Sequence, residues 1–183
     1  MNKEFLQSLR EQIKLGTVTE QEPMSRHTSF SIGGPADVFV QPATREEIRS
    51  AVYCAKEAGI PFFVMGNGSN LLVSDEGFRG MIIQIGKNFQ EISVQDTVIE
   101  VQAGALLSRT ARVAWNAGLT GFEFAAGIPG TTGGAVAMNA GAYGGEMKQI
   151  VESAEVLTSE GEVLNLTNEE PVSYTHLTLP TIL

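Results

Sequence analysis

The sequence predicts an α+β fold of two lobes, and three observations carry that prediction. Residues 37–65 read as strand, helix, strand. Residues 71–102 hold short strand candidates spaced as in an antiparallel sheet. Two stretches, 66–70 and 127–145, are dense in glycine, and seven of the nineteen residues from 127 to 145 are of that type.

From the N-terminus, residues 4–15 form a short amphipathic helix, with Phe5, Leu6, Leu9 and Ile13 on one face. Residues 16–25 are polar and linker-like. Residues 37–41 are a strand stopped by Pro42, and Thr44 caps a helix over 45–58 in which Ile48, Val52 and Ala55 recur on one face. Gly59 ends that helix, and 61–65 is a short apolar strand. A parallel pair of strands joined by a crossover is the simplest reading. Strand candidates follow at 71–73, 81–85, 91–94 and 98–102. Residues 106–116 are a helix with Leu107, Ala111 and Ala114 on one stripe and Gly118 just past its end. Residues 154–157 and 162–166 make a hairpin turning at Ser159-Glu160-Gly161. The expected division is 1–24 as helix and linker, 25–79 as the first lobe, 80–170 as the second and 171–183 as a tail foreign to the domain.

Composition narrows the function. Twelve basic residues against twenty-one acidic ones give a net charge of −9, which opposes nonspecific binding to nucleic acid. No run approaches the ~18 apolar residues of a membrane span, and the N-terminus lacks a signal-peptide core, so a soluble cytoplasmic protein is expected. The single cysteine, Cys54, and two histidines cannot build a zinc site or a disulfide framework, so no metal is expected and Cys54 is assigned to packing.

The glycine stretches carry the chemistry. In Gly66-Asn67-Gly68-Ser69-Asn70 the glycines free the backbone to approach a ligand, and the amides of 67–70 can point into one concavity. The loop reads either as a diphosphate cradle or as an ordinary Asn/Gly turn. In Gly127-Ile128-Pro129-Gly130-Thr131-Thr132-Gly133-Gly134, Pro129 stiffens the turn, and residues 133–138 can open a short helix whose free N–H groups face an anion. The alternative is tight backbone packing in a core. The P-loop pattern and the dinucleotide pattern G-x-G-x-x-G are both absent, which leaves a dinucleotide held by another fold.

These residues resemble a known family. Arg26-His27-Thr28-Ser29-Phe30, Gly33-Gly34-Pro35-Ala36, Gly66–Leu72 and GIPGTTGGAVAMNAGAYGGE from Gly127 to Glu146 are similar to the UDP-N-acetylenolpyruvoylglucosamine reductases of peptidoglycan synthesis. The resemblance implies the fold of vanillyl-alcohol-oxidase (PCMH) type, in which FAD lies between two α+β lobes, with the substrate domain missing here. It implies that NADPH is the reductant and that hydride reaches the enolpyruvyl double bond of the UDP-sugar, giving UDP-N-acetylmuramate. Gly66, Asn67, Gly68, Ser69 and Asn70 would hold the diphosphate; Gly127, Ile128, Pro129, Gly130, Thr131, Gly133 and Gly134 with Asn139, Ala140 and Gly141 would contact diphosphate and flavin ring. Tyr143 would stand near flavin and substrate, or serve as a half-buried scaffold residue. Neither loop holds a His or Cys, so noncovalent FAD is expected, in a monomer.

The chain also departs from that family. Where the family carries a Tyr-Arg pair this sequence has Tyr174-Thr175, and no arginine follows Arg112. From Pro171 the thirteen residues PVSYTHLTLPTIL contain no acidic side chain, Lys or Arg. The expectation is a chain that binds FAD without turning over its substrate. The alternatives are an FAD-dependent oxidase of the same fold and a non-functional fragment.

Overall fold

The computed structural model describes residues 3–167 and 181–182. Its elements begin with α1 (Lys3–Gln12) and β1 (Thr17–Pro23), followed by β2 (Pro35–Gln41), α2 (Arg45–Glu57), β3 (Phe62–Met65) and β4 (Phe78–Gln84). After them come β5 (Ile92–Gln95), β6 (Val98–Val101), α3 (Leu107–Asn116), α4 (Thr132–Ala137), β7 (Gly141–Ala142) and β8 (Gly145–Glu146). The last are β9 (Ser153–Leu157), β10 (Val163–Thr167) and β11 (Thr181–Ile182). The expected tail, 171–183, otherwise lies outside the described residues; its Thr181 and Ile182 pair antiparallel with β9.

The main sheet has the order β1-β2-β4-β3. Both β2 and β3 run parallel to β4, in registers that place Val38 and Phe62 on either side of Met81. The strand, helix and strand of 37–65 therefore do run the same way, but β4 separates the two strands. Its Met81-Ile82-Ile83 run is buried on both faces, which is what a central strand requires, whereas β3 exposes Phe63 at the edge. The candidate at 81–85 thus belongs to the first sheet and not to a second one. The observed strand starts earlier, at Phe78, and so runs through position 80, where the second lobe was expected to begin.

Two further expectations are corrected. The polar stretch 16–25 contains β1, an edge strand paired antiparallel with β2 from Thr17↔Gln41 to Pro23↔Pro35. Its side chains are mostly exposed, so no hydrophobic alternation announced it. Residues 71–73 are not a strand: Leu71 and Val73 tuck against the core while Leu72 is exposed, and no strand pairs with them. The candidates at 91–94 and 98–102 do form an antiparallel pair, β5–β6.

Pleating sends Val38, Val40, Met81 and Ile83 to one face of the main sheet, where α1 and α2 cover them. Thr44 caps α2 by accepting from the Glu47 amide at 3.2 Å, and Gly59 follows with φ +62°, as the sequence predicts. Phe39 and Ile82 face the opposite side with Met24, Ala36 and Met65; there the cover is loop, from 24–34 and 71–78. A register shift between Ala36 and Val38 puts Ala36 on the same side as Phe39. Around α3 and α4 a separate core forms from Leu107, Ala125, Ala135, Val136 and Met147.

Glu47 locks the first core. It is 5% exposed, yet its carboxylate accepts from the amides of Lys14, Leu15, Gly16 and Ala43 at 2.6–3.3 Å. Burial alone would raise its pKa, but those backbone donors outweigh burial and hold the carboxyl below its ordinary value. Across the molecule, β9 and the turn after it fasten to α2: Arg45 pairs with Glu155 of β9 at 2.5 Å, Lys56 with Glu160 of the turn at 2.6 Å, and Leu157 is fully buried in the same core as α1 and α2.

Candidate functional site: two glycine loops in contact

Strand β3 ends at buried Met65, and the chain turns out of the sheet through Gly66. The Gly66 carbonyl accepts from Gln84 Nε2 at 3.1 Å. A Cβ on Gly66 would overlap the Thr131 hydroxyl. Gly68 takes φ +64°, and a Cβ there would overlap the carbonyl of His27; its own carbonyl accepts from the Ser29 amide at 3.2 Å. The loop is therefore shaped by neighbours that touch its main chain.

Its amides are different. Among the described residues, the N–H groups of Asn67, Gly68, Ser69 and Asn70 have no hydrogen-bond partner. Backbone donors are nearly always paired in folded proteins, by protein, water or ligand. A consecutive set of unpaired donors on a turn held from several sides is the arrangement that binds an anion.

The second loop meets the first. Ser69 donates its hydroxyl to the Pro129 carbonyl at 3.1 Å. Gly130 has φ +125°, and a Cβ there would sit 2.8 Å from Ser69 Oγ. Gly66, Ser69, Pro129, Gly130 and Thr131 thus form one junction. Gly127 faces open space, and Ile128 packs against the second core.

Short helix α4 follows where the sequence predicts it, with Thr131 as its cap. Its first amides are not free, which corrects the expected anion site there. Thr132 N–H donates to the Ala105 carbonyl at 2.8 Å and Gly133 N–H to that of Ala103 at 2.9 Å, while Gly134 N–H faces the Thr131 hydroxyl at 3.4 Å. Gly133 is glycine for packing, since a Cβ would lie 2.6 Å from that of Ala103.

Asn139, Ala140 and Gly141 lie beyond the other end of α4. Asn139, at φ +43°, donates from Nδ2 to Glu146 at 2.7 Å and accepts from the Lys148 amide at 2.9 Å, bracing the β7–β8 hairpin. The Lys148 ammonium beside Glu146 outweighs the opposing desolvation and, with help from the Asn139 amide, holds that carboxyl below its ordinary value. At the hairpin tip Tyr143 is 98% exposed with φ +53°, so the half-buried scaffold alternative does not hold. Among the described residues no cluster of His, Cys, Asp or Glu could hold a metal ion, and no helix is long and apolar enough to cross a membrane.

Residues 36–167 match the sequence family described as FAD binding domain. The chain belongs to that FAD-binding family. It is 55% identical over 150 residues to the UDP-N-acetylenolpyruvoylglucosamine reductase of Alkaliphilus metalliredigens, covering 82% of this chain and 49% of that protein. Among solved structures it is similar to UDP-N-acetylenolpyruvylglucosamine reductase from Thermus caldophilus, with a TM-score of 0.72, 35% identity, and coverage of 92% of this chain and 58% of that one. An alkyldihydroxyacetonephosphate synthase shares the fold at a TM-score of 0.71 and 20% identity, covering 100% of this chain and 39% of that one. These matches show the reductase resemblance and the α+β fold of vanillyl-alcohol-oxidase type that the sequence implied. The chain spans about half the length of the curated relatives it matches. Within this FAD-binding fold, sequence reasoning missed Gln84 as a support of the first loop. It lies in no glycine motif. The pairing of β3 with β4 brings Gln84 to Gly66.

Proposed function

We propose that this chain holds FAD noncovalently as the cofactor-binding part of a UDP-N-acetylenolpyruvoylglucosamine reductase, with NADPH as reductant and a UDP-sugar enolpyruvyl ether as substrate, in the cytoplasm and as a monomer. The observation that carries the reading is the set of amides at 67–70 left unpaired among the described residues, on a loop that Ser69 ties to the second glycine loop. A diphosphate fits there, because backbone donors meet its charge without the cations that a net charge of −9 makes scarce. Gly127, Gly130 and Thr131 complete the cradle, and the stretch through Asn139, Ala140 and Gly141 to Tyr143 extends it toward the flavin ring and substrate. When bound, FAD supplies the hydride chemistry.

Hydride addition to the enolpyruvyl group builds negative charge on its carboxylate, which a cation must stabilise. Where the family resemblance implies a Tyr-Arg pair this sequence has Tyr174-Thr175, which leaves that cation out, so the reading is of a chain that binds the cofactor without turning over the sugar. Titrating the purified chain with FAD, followed by flavin fluorescence and visible absorption, tests the reading. Saturable binding is expected; a well-folded, colourless protein that ignores excess FAD would end it. Assay of NADPH oxidation dependent on the UDP-sugar checks the second part, where a rate typical of enzymes would contradict the expected inactivity.

A further inference from the structure

The turn that grips Gly68 is itself anchored by a histidine–carboxylate contact. His27 Nε2 lies 3.0 Å from Glu22 Oε1, with both side chains largely buried, at 18% and 16% exposure. The imidazole packs on the ring of Phe39, with centroids 4.1 Å apart and planes tilted by 31°. Phe39 is buried in β2 and does not move independently of the sheet. The His27 amide donates to the Met24 carbonyl at 2.9 Å, closing the short turn Met24–Arg26. Arg26, more exposed, faces Glu22 at 3.6 Å. From this fixed point the His27 carbonyl abuts Gly68, and Ser29 N–H reaches the Gly68 carbonyl.

We infer that His27, tethered by Glu22 and Phe39, is a positioning residue that sets the direction of the 67–70 amides and so the strength of the diphosphate cradle. The inference rests on the FAD-binding reading for its ligand. Of the loop's braces, Gln84 holds Gly66, Ser69 ties to Pro129, and among the described residues the hydrogen bond to Gly68 comes from the 27–29 turn. Releasing the imidazole frees that turn to rotate, and the amides on either side of Gly68 lose their common aim. A ligand must then reorder the loop as it binds, which weakens affinity without removing any contacting group.

The test compares wild type, His27→Ala, Glu22→Ala and His27→Gln for binding of FAD, ADP and riboflavin, with melts recorded without ligand. A glutamine amide can replace the imidazole N–H toward Glu22. We expect His27→Ala and Glu22→Ala to raise the Kd for FAD and for ADP about tenfold, riboflavin binding to stay unchanged, and His27→Gln to recover most of the loss. Equal FAD and ADP affinity in wild type and His27→Ala would overturn the inference, as would a loss shared by riboflavin or one that His27→Gln fails to restore. Wild type that binds ADP but not FAD removes the FAD reading and leaves this inference standing; binding neither removes both.

Discussion

The hydroxyl of Ser69 and the carbonyl of Pro129, 60 positions apart in sequence, are joined by a 3.1 Å hydrogen bond that ties one glycine loop to the other. Ser69→Ala removes the tie and leaves every amide of the loop in place. A loss of about 1 kcal/mol in FAD binding is expected, roughly fivefold in Kd. Fluorescence titration measures it, and an unchanged Kd would show that the loops hold each other without that bond.

The Gly66–Thr131 contact makes a rescue experiment available. Gly66→Ala drives a methyl into the Thr131 hydroxyl, so at least a tenfold loss of FAD affinity is expected as the loops separate. In the double variant with Thr131→Ala the offending oxygen is gone and the nearest remaining Thr131 atom is 3.2 Å away. Part of the affinity returns, although removing the α4 cap costs about 1 kcal/mol of stability. A double variant weaker than both single ones would refute this steric account.

Glu47 predicts a pH dependence of stability. Its folded-state pKa is lowered by the backbone donors that outweigh its burial. Its contribution is therefore complete above the unfolded-state value, near ~4.3, and fades as pH falls through the lower folded-state value. Glu47→Gln places an amide among N–H donors that need an acceptor, a loss of about 3 kcal/mol at pH 7. Urea melts should show that difference shrinking below about pH 4; a constant difference from pH 7 to pH 3 would assign the effect to packing.

Tyr143 sits at φ +53° and is followed by Gly144 at φ +84°, the pattern in which a tight hairpin favours Asn-Gly. Tyr143→Asn should raise stability by about 0.5–1 kcal/mol in a urea melt, because the exposed ring contributes no packing. A destabilised variant would show that the ring rests on the protein in solution.

The elements that the sequence announced are those with local causes. The α2 helix has its cap at Thr44, its stripe from Ile48 to Ala55 and its stop at Gly59, all within a few positions of each other. The β1 strand was invisible because TVTEQEP lies on an exposed edge and owes its conformation to β2. The place of β4 between β2 and β3 depends on pairing across the sheet, which no window of sequence contains. Within the candidate site the loops were legible from glycine content, but the state of their amides was not. Thr132 and Gly133 find carbonyls at Ala105 and Ala103, whereas 67–70 find none among the described residues, a difference decided by tertiary neighbours. Asn139, read as a ligand contact, braces its own hairpin in this structure.

Lys56 and Glu160 meet across 104 positions, and Arg45 meets Glu155 along the same flank of α2. During synthesis at about 5–20 residues per second, that flank leaves the ribosome roughly 5–20 seconds before its counterpart exists. Leu157, which completes the core shared with α1 and α2, arrives equally late. Residues 127–134 have already emerged by then, so the nascent chain seals its first hydrophobic centre only after both glycine-rich turns have been made.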